Sequence, residues 1–512
     1  MAITRPMTKI VATLGPATSS EKVIEALIRE GARVFRINFS HGTFEEYARL
    51  VSYVREASAR AGIYTALLGD LSGPKLRVGE IISGGVRLKK GDEVRFTTEK
   101  ITGSNDRIFP VTQPAIIREV EKGQRVLLDD GAITMVATGR NTTKDREELI
   151  CKVEVGGLLT SRKGINLPDT PLSLPSLTEK DQECARFAVE QQFDYLALSF
   201  VRNASDVREL KELLKKLNAR PEGLDITGGD LGFSAAFEGN YIPVISKIEK
   251  PQAIEHLEEI VRESDSIMVA RGDLGVEMDL SEVALLQKTI IRSCRRQMKP
   301  VIVATQMLQS MITSASPTRA EVSDVANAIL DGADAVMLSG ETAVGEHPVE
   351  AVRTMARIAI HTHQFRKKEV NGLPPETEHE TTGRKQRKAV MASGVRLMAR
   401  QWDARMIITW FHSGGSTVYL SRQQLDIPIL AFGEDRKRLQ QMALVYGLYP
   451  IYMEQPTSGS RFIKMVNRML IRRKWAEPGD HIIVVASSPI DQRGLTNRIV
   501  LHNVGEEITE SN

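Results

Sequence analysis

The sequence predicts an α/β protein: a (β/α)₈ TIM-type barrel, a small β-barrel domain inserted into it, and an open α/β sheet domain at the C-terminal end. Three observations carry this. Eight short apolar runs each end in a polar residue or glycine, helix patterns follow most of them, and two stretches have a texture of their own. The runs are Lys9 to Thr13, Arg33 to Ile37, Tyr64 to Leu68, Tyr195 to Leu198, Pro243 to Ile248, Ile267 to Ala270, Val301 to Ala304 and Ala335 to Leu338. They are too short for helices and rich in Ile and Val, as strands buried on both faces are.

The helices between them carry their own start and stop signals. Ser19 and Ser20 precede Glu21 to Glu30, apolar at Val23, Ala26 and Leu27 and stopped by Gly31. Thr318 with Glu321 reads as a capping box, and Val322, Val325, Ala326 and Ile329 keep the helical period up to Asp331-Gly332. Between the third and fourth runs the texture changes. Alternating stretches such as Val86-Arg-Leu, Glu93-Val-Arg-Phe and Arg125-Val-Leu-Leu are broken by Gly84-Gly85, Lys90-Gly91-Asp92, Lys122-Gly123 and Asp129-Asp130-Gly131, which are hairpin signals. After Pro348 a long helix to about Phe365 and a polar connector from Lys367 to Arg387 lead into strand candidates at Met406 to Thr409, Ile429 to Phe432, Ile451 to Met453, Ile482 to Ala486 and Ile499 to Val504. The expected division is barrel at 1–71 and 170–347, inserted lid domain at 72–169, and a C-terminal regulatory domain at 348–512. A barrel takes about 250 residues, so 512 leaves room for the others.

Composition excludes several classes. Hydrophobic content of 42% and charged content of 26% are those of a soluble globular chain. No run of 18 apolar residues exists and the start lacks a signal-peptide core, so a cytoplasmic protein without membrane association is expected. A net charge of +3, dispersed over the chain, gives no case for nucleic acid. Cys151, Cys184 and Cys294 are odd in number and without CxxC spacing, which fits buried thiols, and Met307 and Met311 read as core filler.

The chemistry concentrates in two strand ends. Ile-Ser-Lys247-Ile-Glu249 and Val-Ala-Arg-Gly-Asp273 put a lysine and two carboxylates where neighbouring parallel strands would open on one mouth. Glu249 and Asp273 are hard oxygen ligands suited to Mg²⁺, with Mn²⁺ as the alternative, and Lys247 would lie against a phosphate. A lone lysine at a strand end is usually a surface residue. The coincidence with two carboxylates is what sets this one apart. No GxxxxGK[ST] and no GxGxxG after a strand is present, which removes two large nucleotide-binding classes.

Longer stretches carry a family resemblance. Thr8-Lys-Ile-Val-Ala-Thr-Leu-Gly-Pro16, Arg36-Ile-Asn-Phe-Ser-His-Gly42, Ser246-Lys-Ile-Glu249, Met268-Val-Ala-Arg-Gly-Asp-Leu-Gly275, Ala304-Thr-Gln-Met307, Pro317-Thr-Arg-Ala-Glu321 and Met337-Leu-Ser-Gly-Glu-Thr342 together resemble the pyruvate kinase family, the C-terminal part more weakly. The resemblance implies phosphoryl transfer from phosphoenolpyruvate to ADP, giving pyruvate and ATP in the last step of glycolysis, by a cytoplasmic, allosteric homotetramer. It implies catalytic roles for Lys247, Arg36, Thr305 and Lys163; substrate contacts at Arg36, Lys247, Gly272, Asp273 and Thr305; and nucleotide contacts at Asn38, His41, Arg77 and Lys163. Lys163 lies in Lys163-Gly-Ile-Asn-Leu-Pro168, which matches the family motif whose lysine arrives with lid closure.

Three places depart from the family. The connection 218–241 is longer than expected, and a surface loop is its default reading. The loop Ser413-Gly414-Gly415-Ser416-Thr417 resembles one that cradles an effector phosphate, but Gly415 stands where many relatives carry a basic residue, so a phosphate-sized anion site is expected, with a sugar bisphosphate, a monophosphate or no ligand as the alternatives. The monovalent-cation site implied at Asn38, Ser40 and Asp70 lacks its threonine, replaced by Leu71, and Lys75 stands where potassium-requiring members have glutamate. An ammonium carries the charge of K⁺, so K⁺ is expected to be dispensable. Two rival readings remain. One is a Mg²⁺-dependent aldolase or mutase, which would have no nucleotide for Lys163 to cover; the other is a silent sugar-phosphate sensor, which would have no use for Lys247, Glu249, Asp273 and Arg36.

Overall fold

In a computed structural model of the chain, residues 6–142, 147–220, 241–368, 383–412, 415–491 and 496–507 are described. Eight strands close a barrel: β1 (Lys9–Thr13), β2 (Ala32–Asn38), β3 (Ala66–Asp70), β4 (Tyr195–Leu198), β5 (Val244–Ile248), β6 (Ser266–Ala270), β7 (Val301–Ala304) and β8 (Ala335–Leu338). Every neighbouring pair is parallel and β8 returns to β1. The interior is filled from strand positions that alternate in and out: Val11, Val34, Leu68, Tyr195, Ile245, Met268, Ile302 and Met337 form one buried cluster.

The helix Glu21–Glu30 starts where expected, its Ser20 hydroxyl accepting from the Val23 amide, and it ends at Gly31 with φ +130°. The Thr318/Glu321 capping box is formed in both directions. The third strand differs from expectation. It runs two residues further than Tyr64 to Leu68, to Asp70, because Asn38 and Ala197 on its two neighbours both stand in register with Asp70. An aspartate reads as a strand terminator in sequence; the ladder on both sides overrides that.

Within the inserted stretch a six-stranded sheet runs in the order Ile165–Asn166, Arg125–Leu128, Ile133–Thr142, Glu147–Val155, Glu93–Thr97, Ile108–Pro110. All pairs are antiparallel except the last. Its glycine-marked turns hold positive φ at Gly84, Gly85, Gly91, Gly123 and Gly131, and at Asp129 and Asp130. It has a separate hydrophobic core around Val94, Phe96, Phe109 and Val126.

The C-terminal part is an open sheet of β9 (Met406–Trp410), β10 (Ile429–Gly433), β11 (Leu448–Tyr452), β12 (His481–Ala486) and β13 (Arg498–Asn503), ordered β11-β10-β9-β12-β13 with only β13 antiparallel. It meets the barrel at the N-terminal ends of the strands. The Tyr195 hydroxyl donates to the Gln441 carbonyl (2.6 Å), Lys9 Nζ to the Leu448 carbonyl (2.6 Å), and Arg422 Nη1 to Asp334 (2.7 Å), while Ala443 and Leu444 join the barrel's inner cluster. The C-terminal mouth stays on the opposite side. Among the described residues no helix is long and apolar enough to cross a membrane, and Cys151, Cys184, Cys294, Met307 and Met311 are all buried.

Candidate active site

At the mouth the strand ends converge on one lysine. Lys247 is in β5 and Glu249 stands immediately past its end at Ile248, two residues on, where the strand's alternation still directs the two side chains to one side. Lys247 Nζ lies 2.7 Å from Glu249 Oε1 and 3.5 Å from Asp70 Oδ1, and donates to Ser199 Oγ at 2.8 Å. Burial alone would lower its pKa. Asp70, Glu249 and Asp273 outweigh that and hold it above the usual lysine range, so the ammonium stays charged.

The carboxylates are set apart by their surroundings. Glu249 is buried, its Oε2 accepting from the Phe200 amide at 2.8 Å. Burial and then the Asp273 charge raise its proton affinity against the pull of Lys247. Two carboxylates that burden one another are relieved by a shared cation. Asp273, in the first turn of the helix Arg271–Glu277, is exposed at the mouth. Asp70 is buried, yet Lys247 and Arg36 together hold its carboxyl below the usual range. Arg36 Nε and Nη2 lie 2.7 and 2.6 Å from Asp70 Oδ2, and its Nη1 donates to Thr13 Oγ1 at 3.2 Å.

Thr305, just past β7, sits at φ +70° followed by Gln306 at +53°, left-handed backbone that a β-branched residue adopts only under constraint. Its hydroxyl accepts from the Gly272 amide (2.6 Å) and donates to the Ala304 carbonyl (2.6 Å). Arg271 holds the Thr305 carbonyl at 2.9 Å and is itself tied to Asp324 at 2.7 Å.

The remaining expected residues fall into groups. Asn38 pairs in register with Asp70, its Oδ1 accepting from the Ser40 amide, and Ser40 Oγ meets Ser72 Oγ at 2.9 Å. His41 is exposed, and its pKa is lowered by burial and then by Lys75, Arg77, Lys180 and Arg36. That list maps an electropositive patch suited to phosphates. Lys75 is half-buried, and its pKa is depressed by burial, Arg77 and Lys247 against the pull of Asp70. Among the described residues the ion pairs of Asp70 go to Arg36 and Lys247, not to Lys75. On the inserted domain, Lys163 pairs with Asp129 at 2.7 Å and Arg77 Nη1 reaches the Arg162 carbonyl at 3.3 Å.

The effector loop is not brought to this mouth. Ser413 and Gly414 lie outside the described residues; Gly415 opens the helix Gly415–Arg422, Ser416 Oγ accepts from Thr496 (2.7 Å), and Thr417 Oγ1 faces Thr409 Oγ1 at 3.2 Å. Residues 221–240 of the long connection are likewise outside. Sequence reasoning missed Ser199 and Phe200, although a polar residue at the end of β4 was a signal of the kind that found Lys247. A small open cleft lies where the inserted domain joins the barrel, lined by Pro74, Leu76, Leu167, Leu172, Phe200 and Lys250 among others. It flanks the carboxylate site without including it.

Residues 5–222 and 234–352 match the family described as "Pyruvate kinase, barrel domain", and 389–502 match "Pyruvate kinase, alpha/beta domain". The pyruvate kinase of Mycobacterium intracellulare is 40% identical over 499 residues, covering 98% of each chain. That of Geobacillus stearothermophilus is 36% identical over 98% of this chain and 80% of its own. The crystal structure of a pyruvate kinase from Cryptosporidium parvum superposes with a TM-score of 0.86 at 29% identity, covering 98% of this chain and 96% of that one. With both family domains matched in order over nearly the whole chain, and with a charged mouth built on the matched barrel, this chain belongs to the pyruvate kinase family and is a kinase, a transferase of phosphoryl groups.

Proposed function

We propose that the protein transfers the phosphoryl group of phosphoenolpyruvate to ADP, yielding pyruvate and ATP. The observation that carries this is Lys247, a half-buried ammonium whose pKa is held above the usual lysine range by Asp70, Glu249 and Asp273 at the barrel's mouth. Phosphoryl transfer needs charge neutralisation and positioning more than covalent chemistry.

Lys247 neutralises the phosphoryl group and the enolate oxygen left behind, a contact that supplies ~3 kcal/mol to the transition state. Arg36, oriented by Asp70 and Thr13, presents its guanidinium to the same phosphate. Glu249 and Asp273 offer the paired hard oxygens that would hold Mg²⁺. When bound, the metal would neutralise substrate oxygens as a Lewis acid. Thr305, whose hydroxyl accepts from the Gly272 amide, orders the water that protonates the enolate, and the helix start at Gly272 helps seat the substrate carboxylate. On the nucleotide side Lys163 reaches the ADP phosphates with the lid, assisted by Arg77, Asn38 and His41.

The reading extends to a division into barrel (1–71, 170–347), lid (72–169) and regulatory domain (348–512), to a cytoplasmic homotetramer, and to an effector site around Gly415, Ser416 and Thr417 that takes a phosphorylated sugar. A coupled assay for pyruvate formed from phosphoenolpyruvate, run with and without ADP, tests the central claim. Pyruvate that forms at the same rate without ADP, or not at all, would sink it.

A further inference from the structure

Glu277 ends the helix whose first turn carries Gly272 and Asp273, one turn after Asp273 and on the same face. It is only 2% exposed. Its Oε1 accepts from two donors that come from different parts of the molecule. One is the ammonium of Lys250, immediately after Glu249; the other is the Asn166 side-chain amide of the inserted domain, at 2.8 Å. Its Oε2 is buried and has no hydrogen-bond partner among the described residues.

Each donor leads to a functional element. Lys250 also stands 5.4 Å over the ring of Phe200, whose amide donates to Glu249. Asn166 lies three residues after Lys163 in an edge strand paired with Arg125–Leu128, while Lys163 is tied to Asp129 and the Asp129 amide donates to the Gly164 carbonyl. The turn that holds Lys163 is therefore tied at Asp129 on one side and through Asn166 on the other. Arg125 adds a cation that acts on Glu277 from the lid side.

We infer that Glu277 is a positioning residue: its carboxylate latches the lid through Asn166 and thereby fixes how far Lys163 reaches over the mouth lined by Glu249 and Asp273. The chemistry suits a latch. A buried carboxylate that lost its only partner would be costly, but Lys250 stays with Glu277 when Asn166 departs, so the lid opens without stranding a charge. The neutral amide of Asn166 forms one charge-assisted hydrogen bond, strong enough to bias closure and weak enough to release product. This inference rests on the nucleotide role read for Lys163.

The test is steady-state kinetics with each substrate varied at saturation of the other. Asn166→Ala should raise KM for ADP at least about tenfold, the cost of one hydrogen bond to a charged group, and leave KM for phosphoenolpyruvate within about twofold. Asn166→Asp should be worse, since it sets a second carboxylate against Glu277. Asn166→Asp combined with Glu277→Gln rebuilds the amide–carboxylate pair in reverse and should return KM for ADP to within about threefold of the parent. Equal rises in both KM values, or a double variant no better than Asn166→Asp, would overturn the latch. Should Asn166→Ala lower Tm enough to unfold the lid, Asn166→Ser supplies the same comparison. Lys163→Ala separates the two readings. If it raises KM for ADP and Asn166→Ala then adds nothing, both stand; if Asn166→Ala multiplies the effect independently, the Lys163 reading stands and the latch falls; a silent Lys163→Ala ends both.

Discussion

Lys247, the last residue but one of β5, and Glu249, the first residue past its end, meet at 2.7 Å with the Phe200 amide on the far carboxylate oxygen. The pair fixes a cation and an anion side by side, so one can face a phosphoryl group while the other holds a metal. Spacing of two residues at the strand end and the hold of the Phe200 amide on Glu249 together produce that adjacency.

Lys247→Met should remove turnover, at least about 10³ in kcat, since it deletes the charge proposed to act on the transferring group. Circular dichroism and Mg²⁺ binding should stay as in the parent, because Glu249 and Asp273 remain. Near-normal kcat would end the assignment.

Asp273→Asn should weaken Mg²⁺ and phosphoenolpyruvate binding together, read as a raised half-saturating Mg²⁺ concentration in the assay. Asp273 is exposed, so the fold should not suffer. An unchanged Mg²⁺ requirement would place the ligand elsewhere.

Thr305 tests the strained turn. Thr305→Ser keeps the hydroxyl between the Gly272 amide and the Ala304 carbonyl and should retain most of kcat. The near-isosteric Thr305→Val loses that acceptor and should cost roughly 10²-fold or more in kcat, the low end of what a positioned proton-transfer group contributes. Equal rates for the two variants would remove the hydroxyl from the mechanism.

Lys75 bears on monovalent ions. With Leu71 fully buried in place of a ligand oxygen and Lys75 half-buried near Asp70, full activity is expected in sodium or tetramethylammonium buffers without K⁺. Lys75→Glu should lower activity at least about tenfold, with K⁺ restoring it only in part. Several-fold activation of the wild type by K⁺ at constant ionic strength would refute the substitution.

His363 predicts an acid-sensitive junction between barrel and C-terminal domain. Its Nε2 meets Thr8 Oγ1 at 3.1 Å, and burial, then Arg366 and Lys9, push its pKa down to about 3. The unfolded chain takes up this proton near pH 6.5 and the native state does not, so stability is intact above pH 6.5 and declines as pH falls toward 3. From pH 6.5 to 5.5 the loss should be about 1 kcal/mol. Denaturant midpoints at those two pH values should differ less in His363→Gln; equal slopes would exclude His363 as the source.

The sequence by itself determined the eight strands and their helices, the hairpin texture of the insert, and the pairing of Lys247 with Glu249. These are all set by local period, capping and spacing, which a single stretch of chain contains. Only the tertiary structure decided what Asp70 meets, since Arg36 and Lys247 come from the neighbouring and second-next strands across the barrel mouth. It also extended β3 to Asp70 through register on both sides. Ser199 under Lys247 and Glu277 between Lys250 and Asn166 were decided in the same way, the last two being 84 residues apart in number but joined through one carboxylate. Strand closure and the seating of the insert bring such groups together, and no window of sequence holds both ends of those contacts.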